Sequence, residues 1–374
     1  MGSFRPAHSY DEWTKLEEAV VGIGAGYKQH ELDLSFKLFH LESVAPVLLI
    51  GSFRKPYVDI PRRIVDELEE DLEGLVDALS AFGTTVLRPV PPNRPAEEIK
   101  TPFWMAHATA ALNIRDQTLI LGDTLVETAP HVRARYFEND YLKPIFYRYF
   151  MAGSGWVSMP KPTLSRETLD PGFESATAYP VAALLENDSV GKMEGLGREM
   201  ILDAAQCLRF GRDVIVNVAN DNHQMGYDWL VRQFGERFHF HRVYRMAANH
   251  IDSIILPLRP GLMLLRSLRF KEFLPRFLQS WDVIYPPEIS EDRFPDYTAF
   301  GFNLASKYID MNVLSLDENT VVVNSLYPEL ITVLARKGME VIPVRHRHGR
   351  LFSGGFHCFS LDCIRFGGCE SYAH

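Results

Sequence analysis

Residues 311–344 read MNVLSLDENTVVVNSLYPELITVLARKGMEVIPV, and the order of patterns in this stretch decides the fold. MNVLSL and TVVVNS are rich in β-branched side chains and flank the turn Asp317-Glu318-Asn319, which reads as a hairpin. YPELITVLARKG places Leu330, Ile331, Val333 and Leu334 along one side, and Gly338 is a helix stop. MEVIPV follows as a third strand. The unit is therefore hairpin, helix, strand.

The same order recurs upstream. SIILPL, the turn Arg259-Pro260-Gly261 and LMLLRS make a hairpin; KEFLPRFLQS is helical in pattern, with Pro275 a cost, and WDVIYP closes the unit. QCLR, Phe210-Gly211 and DVIVNV make another, followed by the short helix DWLVRQF and the strand HFHRVY. QTLIL, Gly122-Asp123 and TLVET begin a third, in which His131 to Phe150 reads as helix and WVSMP as strand. The first unit is irregular. LEEAVVGIG is a strand, a long insertion follows, and a helix runs from Pro61 to Phe82 with Ile64, Leu68, Leu72, Leu75, Leu79 and Phe82 as its apolar stripe. TTVLRPV is the strand after it. Its missing hairpin partner is expected in the C-terminal run CFSLDCIR, which would close a circular array. The expectation is an α/β propeller of five hairpin–helix–strand units. An ordinary α/β sheet with helices on both faces is the alternative. No glycine-rich phosphate loop follows any strand, and GIGAG at Gly22 to Gly26 reads as a flexible turn.

Composition bounds the function. With 46% apolar and 23% charged residues in 374, the chain can build a large core. A formal charge of −9 argues against a nucleic-acid backbone as partner. The N-terminus lacks the basic start and apolar run of a secretory signal, and apolar runs such as VAPVLLI are too short to span a bilayer. Pro6 replaces the Ser or Thr of a myristoylation motif. Four cysteines, Cys207, Cys358, Cys363 and Cys369, form neither a CxxC pair nor a disulfide framework. A cytoplasmic location is expected.

Each unit carries polar residues just before its first strand: Asp116, Asp203, His250 with Asp252, Ser306 with Lys307, and Cys358. In a circular repeat these positions meet around the axis. Cys358 follows Gly354 and Gly355, which would let backbone approach a ligand, and a thiol beside a base becomes a nucleophile. A buried structural cysteine is the bland alternative, and Cys207, Cys363 and Cys369 are read that way. His250 reads as an acid–base against a satisfied core histidine. His357 is a rival, but strand alternation would turn it away from the thiol. Three carboxylates, Asp116, Asp203 and Asp252, converging without a basic partner would suit a cationic substrate; capping roles are the alternative. No HExxH or paired Cys/His spacing supports a metal.

SYDEWTKLEEAVVG, NIRD, LDAA, NHID, SKYIDMNVLSLDE and GGFHCFSLD, in this order over nearly the whole chain, resemble the arginine amidinotransferases. That family includes glycine amidinotransferase, inosamine-phosphate amidinotransferases of streptomycin-type pathways and relatives in guanidino-toxin pathways. The resemblance implies a five-unit α/β propeller of the pentein type, one catalytic domain over residues 1–374, and no metal or organic cofactor. It implies Cys358 as covalent nucleophile, His250 as acid–base and Asp203 as third member of the triad. Asp116 and Asp252 correspond to the guanidinium-binding pair and Arg269 to the arginine on the substrate carboxylate. Ser306 matches the second serine of a carboxylate-binding pair, whereas the first position is Ala305. Gln206 stands where many relatives repeat the acid as DAAD.

The implied reaction is ping-pong transfer of the amidino group of L-arginine to a primary amine, releasing L-ornithine. Paired carboxylates grip a planar, permanently charged guanidinium well. An arginine deiminase-like hydrolase and a catalytically silent binding propeller are the alternatives; the intact Cys, His and Asp disfavour the second. SYDEW and SKYIDMNVL resemble transferase segments more than hydrolase ones. The partners implied are small molecules, with a homodimer as the expected assembly. The acceptor is expected to be larger than glycine, a saxitoxin-like or streptomycin-like pathway amine. Glycine-using relatives have asparagine and methionine at the positions of Ala247 and Asn249, and smaller groups would leave room beside the thiol.

Overall fold

The computed structural model describes residues 4–27, 35, 60–91, 98–165, 168, 199–297, 305 and 307–373. In chain order, β1 (Leu16–Val21), α1 (Arg62–Phe82) and β2 (Thr85–Leu87) come first, then a small ribbon of β3 (Glu98–Lys100) and β4 (Met105–His107). The second unit is β5 (Thr118–Leu121), β6 (Thr124–Glu127), α2 (Lys143–Met151) and β7 (Gly155–Ser158). The third is β8 (Cys207–Phe210), β9 (Asp213–Val218), α3 (Asp221–Phe234) and β10 (His239–Tyr244). The fourth is β11 (Ile255–Arg259), β12 (Leu262–Leu265) and β13 (Asp282–Ile284). The fifth is β14 (Leu314–Ser315), β15 (Thr320–Asn324), α4 (Pro328–Arg336) and β16 (Glu340–Val344). A helical turn α5 (Gly349–Phe352) and β17 (Ser360–Arg365) end the chain.

Among the described residues the strands form, besides the β3–β4 ribbon, five three-stranded sheets. In each, two strands pair antiparallel and a third joins parallel to the middle one, as in β8–β9–β10. The last strand closes the ring: β17 pairs antiparallel with β1, from Leu16 opposite Arg365 to Val21 opposite Ser360, and β2 lies parallel on the other side. This is the expected five-unit α/β propeller. Burial follows the radius. The inner strands β5, β8 and β17 are buried throughout, and the outer strands β2, β7, β10 and β16 are largely half-buried or exposed. Inner strands are covered on both faces, so even the charged side chains of β8 and β17 are buried. The hairpins are tight. Gly122 sits at φ 61°, in the left-handed region, and a Cβ there would meet Tyr10 Cζ at 2.7 Å.

Several local expectations shift. Pro61 precedes α1 as its cap, and Leu68, Leu72, Leu75 and Leu79 are buried while Ile64 and Phe82 are half-buried. The expected helix over His131 to Phe150 is two 3-10 segments, Arg133–Arg135 and Glu138–Leu142, before α2 begins. KEFLPRFLQS is not an α-helix. It lies across the 3-10 segments Leu268–Phe273 and Arg276–Leu278, interrupted at Leu274 because Pro275 removes an N–H and bars helical geometry before it. DWLVRQF is the end of a longer helix, capped by Asn220, whose side chain accepts from the His223 N–H. The GIGAG segment is tied down at its start: Gly22 N–H donates to Phe359 O at 2.8 Å and Ile23 N–H to Ala111 O at 2.9 Å. Among the described residues no helix is long and apolar enough to cross a membrane.

Under the inner strands lies a buried ion network. Arg209 of β8 donates to Glu12 through Nε and Nη2, both at 2.8 Å, and to Asp362 Oδ2 of β17 at 2.6 Å. Arg365 Nε reaches the same Asp362 oxygen at 2.6 Å, and Arg115 Nη1 reaches Glu12 at 3.2 Å. Removing one member of a buried ion set leaves opposite charges without compensation. Arg209→Met is therefore expected to destabilise the protein by about 3–5 kcal/mol, read as a lower urea midpoint at unchanged slope. A midpoint equal to that of the parent protein would show that the network does not stabilise the fold.

Candidate active site

The polar residues that lead into the inner strands do converge. Asp116 ends a 3-10 turn two residues before β5, Asp203 precedes β8, Asp252 precedes β11 and Cys358 precedes β17. His250 Nε2 lies 2.9 Å from Asp203 Oδ2, and its Nδ1 is 3.7 Å from Asp116 Oδ1. The Cys358 thiol donates to Asp252 Oδ2 at 3.3 Å. The Arg115 N–H donates to the Cys358 carbonyl at 3.4 Å, which ties the Asp116 turn to the thiol turn.

Local sequence explains each placement. Asp203 caps the turn Ala204–Gln206 in a reciprocal box: its own N–H donates to Gln206 Oε1 at 3.0 Å. Gln206 Nε2 then donates to Asn217 O at 2.9 Å, so glutamine is bonded at both ends of its amide. Gln117 Nε2 donates to Asp203 Oδ1 at 3.0 Å. The residues around Cys358 form a turn, Phe356 to Phe359, not a strand. Gly354 and Gly355 are required by protein packing: a Cβ on Gly354 would stand 2.1 Å from Asn113 Oδ1, and one on Gly355 would stand 2.6 Å from Asn312 Cβ. The close approach read from the sequence is thus to neighbouring asparagines.

Three expectations are corrected. First, His357 does share the thiol's direction, because alternation does not hold in a turn; its Nδ1 is 2.8 Å from Asp252 Oδ2, the oxygen that faces Cys358. Its Nε2 lies 3.3 Å from Glu12 Oε2, which connects the site to the ion network. Secondly, the carboxylates are not without basic partners: Arg135 Nη1 donates to Asp116 Oδ2 at 2.6 Å. Asp116 Oδ1, by contrast, is buried and has no hydrogen bond among the described residues. Thirdly, the fifth unit contributes Asn312 in register. Asn312 Oδ1 accepts from the Cys358 N–H at 2.9 Å and its Nδ2 donates to Asp252 O at 3.2 Å. Lys307 instead pairs with Glu288.

The remaining expected residues are placed as follows. Arg269 lies on the exposed start of the Leu268–Phe273 segment, its guanidinium 4.6 Å from the Phe270 ring centre. Ser306 lies outside the described residues, and Ala305 N–H donates to Arg350 O at 3.0 Å. Ala247 is 3% exposed within the apolar core around β11 and β12. Asn249 is half-buried, its carbonyl accepts from Asn217 Nδ2 at 2.6 Å and its Oδ1 accepts from the His250 N–H at 2.6 Å. A cavity of about 360 Å³ at the ends of β9 and β10, lined by Asn220, Arg242, Tyr244 and Arg245 among others, includes none of the reactive residues.

Burial and the carboxylates set the charge states. Burial pushes the Cys358 thiol well above its ordinary value, and Asp252 and Asp116 push it further. Burial opposes charge on His250, but Asp116 and Asp203 outweigh it and raise its pKa to about 9. Against the same burial penalty His357 holds Asp252 down at about 2, and the His131 and His250 contacts keep Asp203 far below the usual carboxylate range. Burial raises Asp116, with His250 and Arg135 opposing it. At neutral pH the site therefore holds a neutral thiol, a charged imidazole below its folded pKa, and ionised Asp203 and Asp252. The thiol is held back mainly by desolvation and negative neighbours. Asp252→Asn is expected to speed alkylation of Cys358 by iodoacetamide at fixed neutral pH, while the parent's rate keeps climbing with pH beyond the ordinary thiol value of 9.0. Slower alkylation in the variant would contradict the charge argument.

No protein-family model matches the chain. Inosamine-phosphate amidinotransferase 1 of Streptomyces griseus is 33% identical over 362 residues, 95% of this chain and 96% of that protein. The L-arginine:L-lysine amidinotransferase of Pseudomonas savastanoi pv. phaseolicola is 32% identical over 376 residues, 98% of this chain and 96% of its own length. The solved structure of an inosamine-phosphate amidinotransferase from Streptomyces griseus superposes with a TM-score of 0.82 at 32% identity, covering 98% of this chain and 99% of that one. With the propeller closed by β17 and the polar turns gathered at its inner strands, the chain belongs to the amidinotransferase family, transferases of amidino groups.

Proposed function

We propose that this enzyme transfers the amidino group of L-arginine to a primary amine through a Cys358-bound intermediate, with the whole chain acting as one catalytic domain. The observation that carries the reading is the cluster itself. A thiol bonded to Asp252 is joined in one cluster by the His250–Asp203 pair, and Asp116 Oδ1, 3.7 Å from His250 Nδ1, is buried without a hydrogen-bond donor among the described residues. A guanidinium supplies five donors in a planar fork and would satisfy Asp116 and Asp252 together. Arg269 and Ser306 are assigned to the substrate carboxylate, with Ala305 leaving that grip one hydroxyl short of its relatives.

The charge states then order the steps. Placing the guanidinium cation against Asp116 and Asp252 offsets the negative charge that keeps Cys358 protonated, so the thiol loses its proton to solvent as donor binds. The thiolate attacks the guanidinium carbon, forming a C–S bond. His250, charged in the free site, gives its proton to the departing nitrogen as that C–N bond breaks, and ornithine leaves. The amidino group remains on sulfur. The incoming amine gives a proton to the now neutral His250, attacks the same carbon, and the C–S bond breaks to regenerate the thiolate. Cys358→Ala should abolish ornithine release from arginine, and intact-protein mass spectrometry of the parent with arginine should show an added amidino group. Ornithine release by the alanine variant at the parent's rate would remove Cys358 from the mechanism.

The acceptor is read as an amine larger than glycine. The named relatives above act on an inosamine phosphate or on lysine, and Asn249 and Ala247 are the residues in this chain set against bulkier groups of glycine users. Burial of Ala247 leaves the half-buried Asn249 as the better placed of the two to meet an acceptor. In one mixture with arginine, glycine, lysine and an amino-cyclitol phosphate should compete, with glycine the poorest acceptor. Preferential formation of guanidinoacetate would overturn the assignment.

A further inference from the structure

Behind Asp203 stand two histidines that the chemistry above does not use. His131 and His223 are each 1% exposed and come from different units, one after β6 and one from the first turn of α3. Their Nε2 atoms are 2.9 Å apart. His131 Nδ1 lies 3.1 Å from Asp203 Oδ2, the oxygen that also faces His250 Nε2 at 2.9 Å. At the far end the Ala219 N–H donates to His223 Nδ1 at 3.3 Å.

These contacts fix where the protons are. A backbone N–H only donates, so His223 Nδ1 bears no proton and the neutral ring carries it on Nε2. Asn220 Nδ2, 3.3 Å from that atom, is itself a donor and cannot take the proton. The acceptor is therefore His131 Nε2. His131 must then carry its own proton on Nδ1, next to Asp203 Oδ2. A second proton on either ring would fall into the 2.9 Å gap between the Nε2 atoms or against the Ala219 N–H. Burial, the largest cause, holds the His223 pKa well below its ordinary value, in agreement with a neutral ring.

We propose that His131 and His223 are positioning residues: a neutral, one-directional chain from the Ala219 N–H through His223 to His131, whose Nδ1 stands 3.1 Å from Asp203 Oδ2 and holds that carboxylate as the acceptor for His250. Gln117 holds the other Asp203 oxygen, so the carboxylate is fixed on both sides. A donor on Oδ2 also withdraws charge from the atom that attracts the His250 proton. Asp116, Asp252, Arg135 and Glu138 are the other charges that act on this cluster, and none of them replaces that donor. The proposal rests on the roles given above to Asp203 and His250. It follows that loss of the His131 donor makes Asp203 a stronger partner for His250 and moves the His250 titration to higher pH.

Nitrogen-15 NMR of the intact enzyme with labelled histidine tests the chain directly. His223 should be neutral with its proton on Nε2 from about pH 5.5 to about pH 8.5, and the His131 ring should carry its proton on Nδ1. Titration of His223 in that window, or the reverse tautomers in either ring, would overturn the proposal. In kinetics, His131→Leu should lower kcat about tenfold or more, leave the KM for arginine within about twofold, and shift the His250 limb of the pH profile upward. His131→Gln, which restores an N–H donor, should bring the limb part of the way back. An unmoved limb beside a lowered melting temperature would mean a packing role only, against the proposal. If the parent enzyme transfers no amidino group, the function assigned above fails, whereas the NMR result stands or falls by itself.

Discussion

The buried pairing of Arg209 and Arg115 with Glu12 and Asp362 is the constraint on which the rest of this structure leans. A ring of five sheets has to be closed by segments from opposite ends of the chain, and apolar packing alone does not specify which edge meets which. Here the charges do. Glu12 lies just before β1, Arg115 just before β5, Arg209 on β8 and Asp362 on β17. One desolvated network therefore joins three units and both ends of the chain. Buried ion pairs are weak as net stabilisers but strict about partners, since a mispaired charge in the interior has no compensation.

The same network aims the chemistry. Arg115 spans from Glu12 to the thiol turn, where its Nε donates to the carbonyls of His357 at 2.7 Å and Ser360 at 2.9 Å. The next residue is Asp116. His357 bridges from Glu12 to Asp252. The turn that carries Cys358 is thus held by charged donors from below and by Asn312 from the side, while the sulfur itself is left to Asp252. Such support holds the thiol and the carboxylate beside it in a fixed relation.

Electrostatically the site is built to be quiet until filled. A cysteine that is 2% exposed beside two carboxylates is a poor nucleophile and a protected one. The thiol, the imidazole and the acids sit on turns of different units and act on one another electrostatically, so a charge added to the cluster would change the balance of all of them at once.

Local sequence by itself determined the periodicity of the units, the hairpin turns and the choice of CFSLDCIR to complete the first sheet. It also singled out Asp116, Asp203, His250, Asp252 and Cys358, since short-range patterns of β-branched runs and turn residues fix where each inner strand begins. It misjudged what depends on neighbours distant in the chain. His357 was turned away from the thiol by a rule for strands, yet Asn312 and Asp252 hold it in a turn. Lys307 was read in register, whereas Asn312, lacking charge and inside a strand-like run, gave no signal. Arg135, Gln117, His131 and Glu12 were brought against these residues only when the sheets closed into a ring. Their roles come from desolvation and from hydrogen bonds between segments as far apart as Glu12 and His357, and no local pattern encodes either.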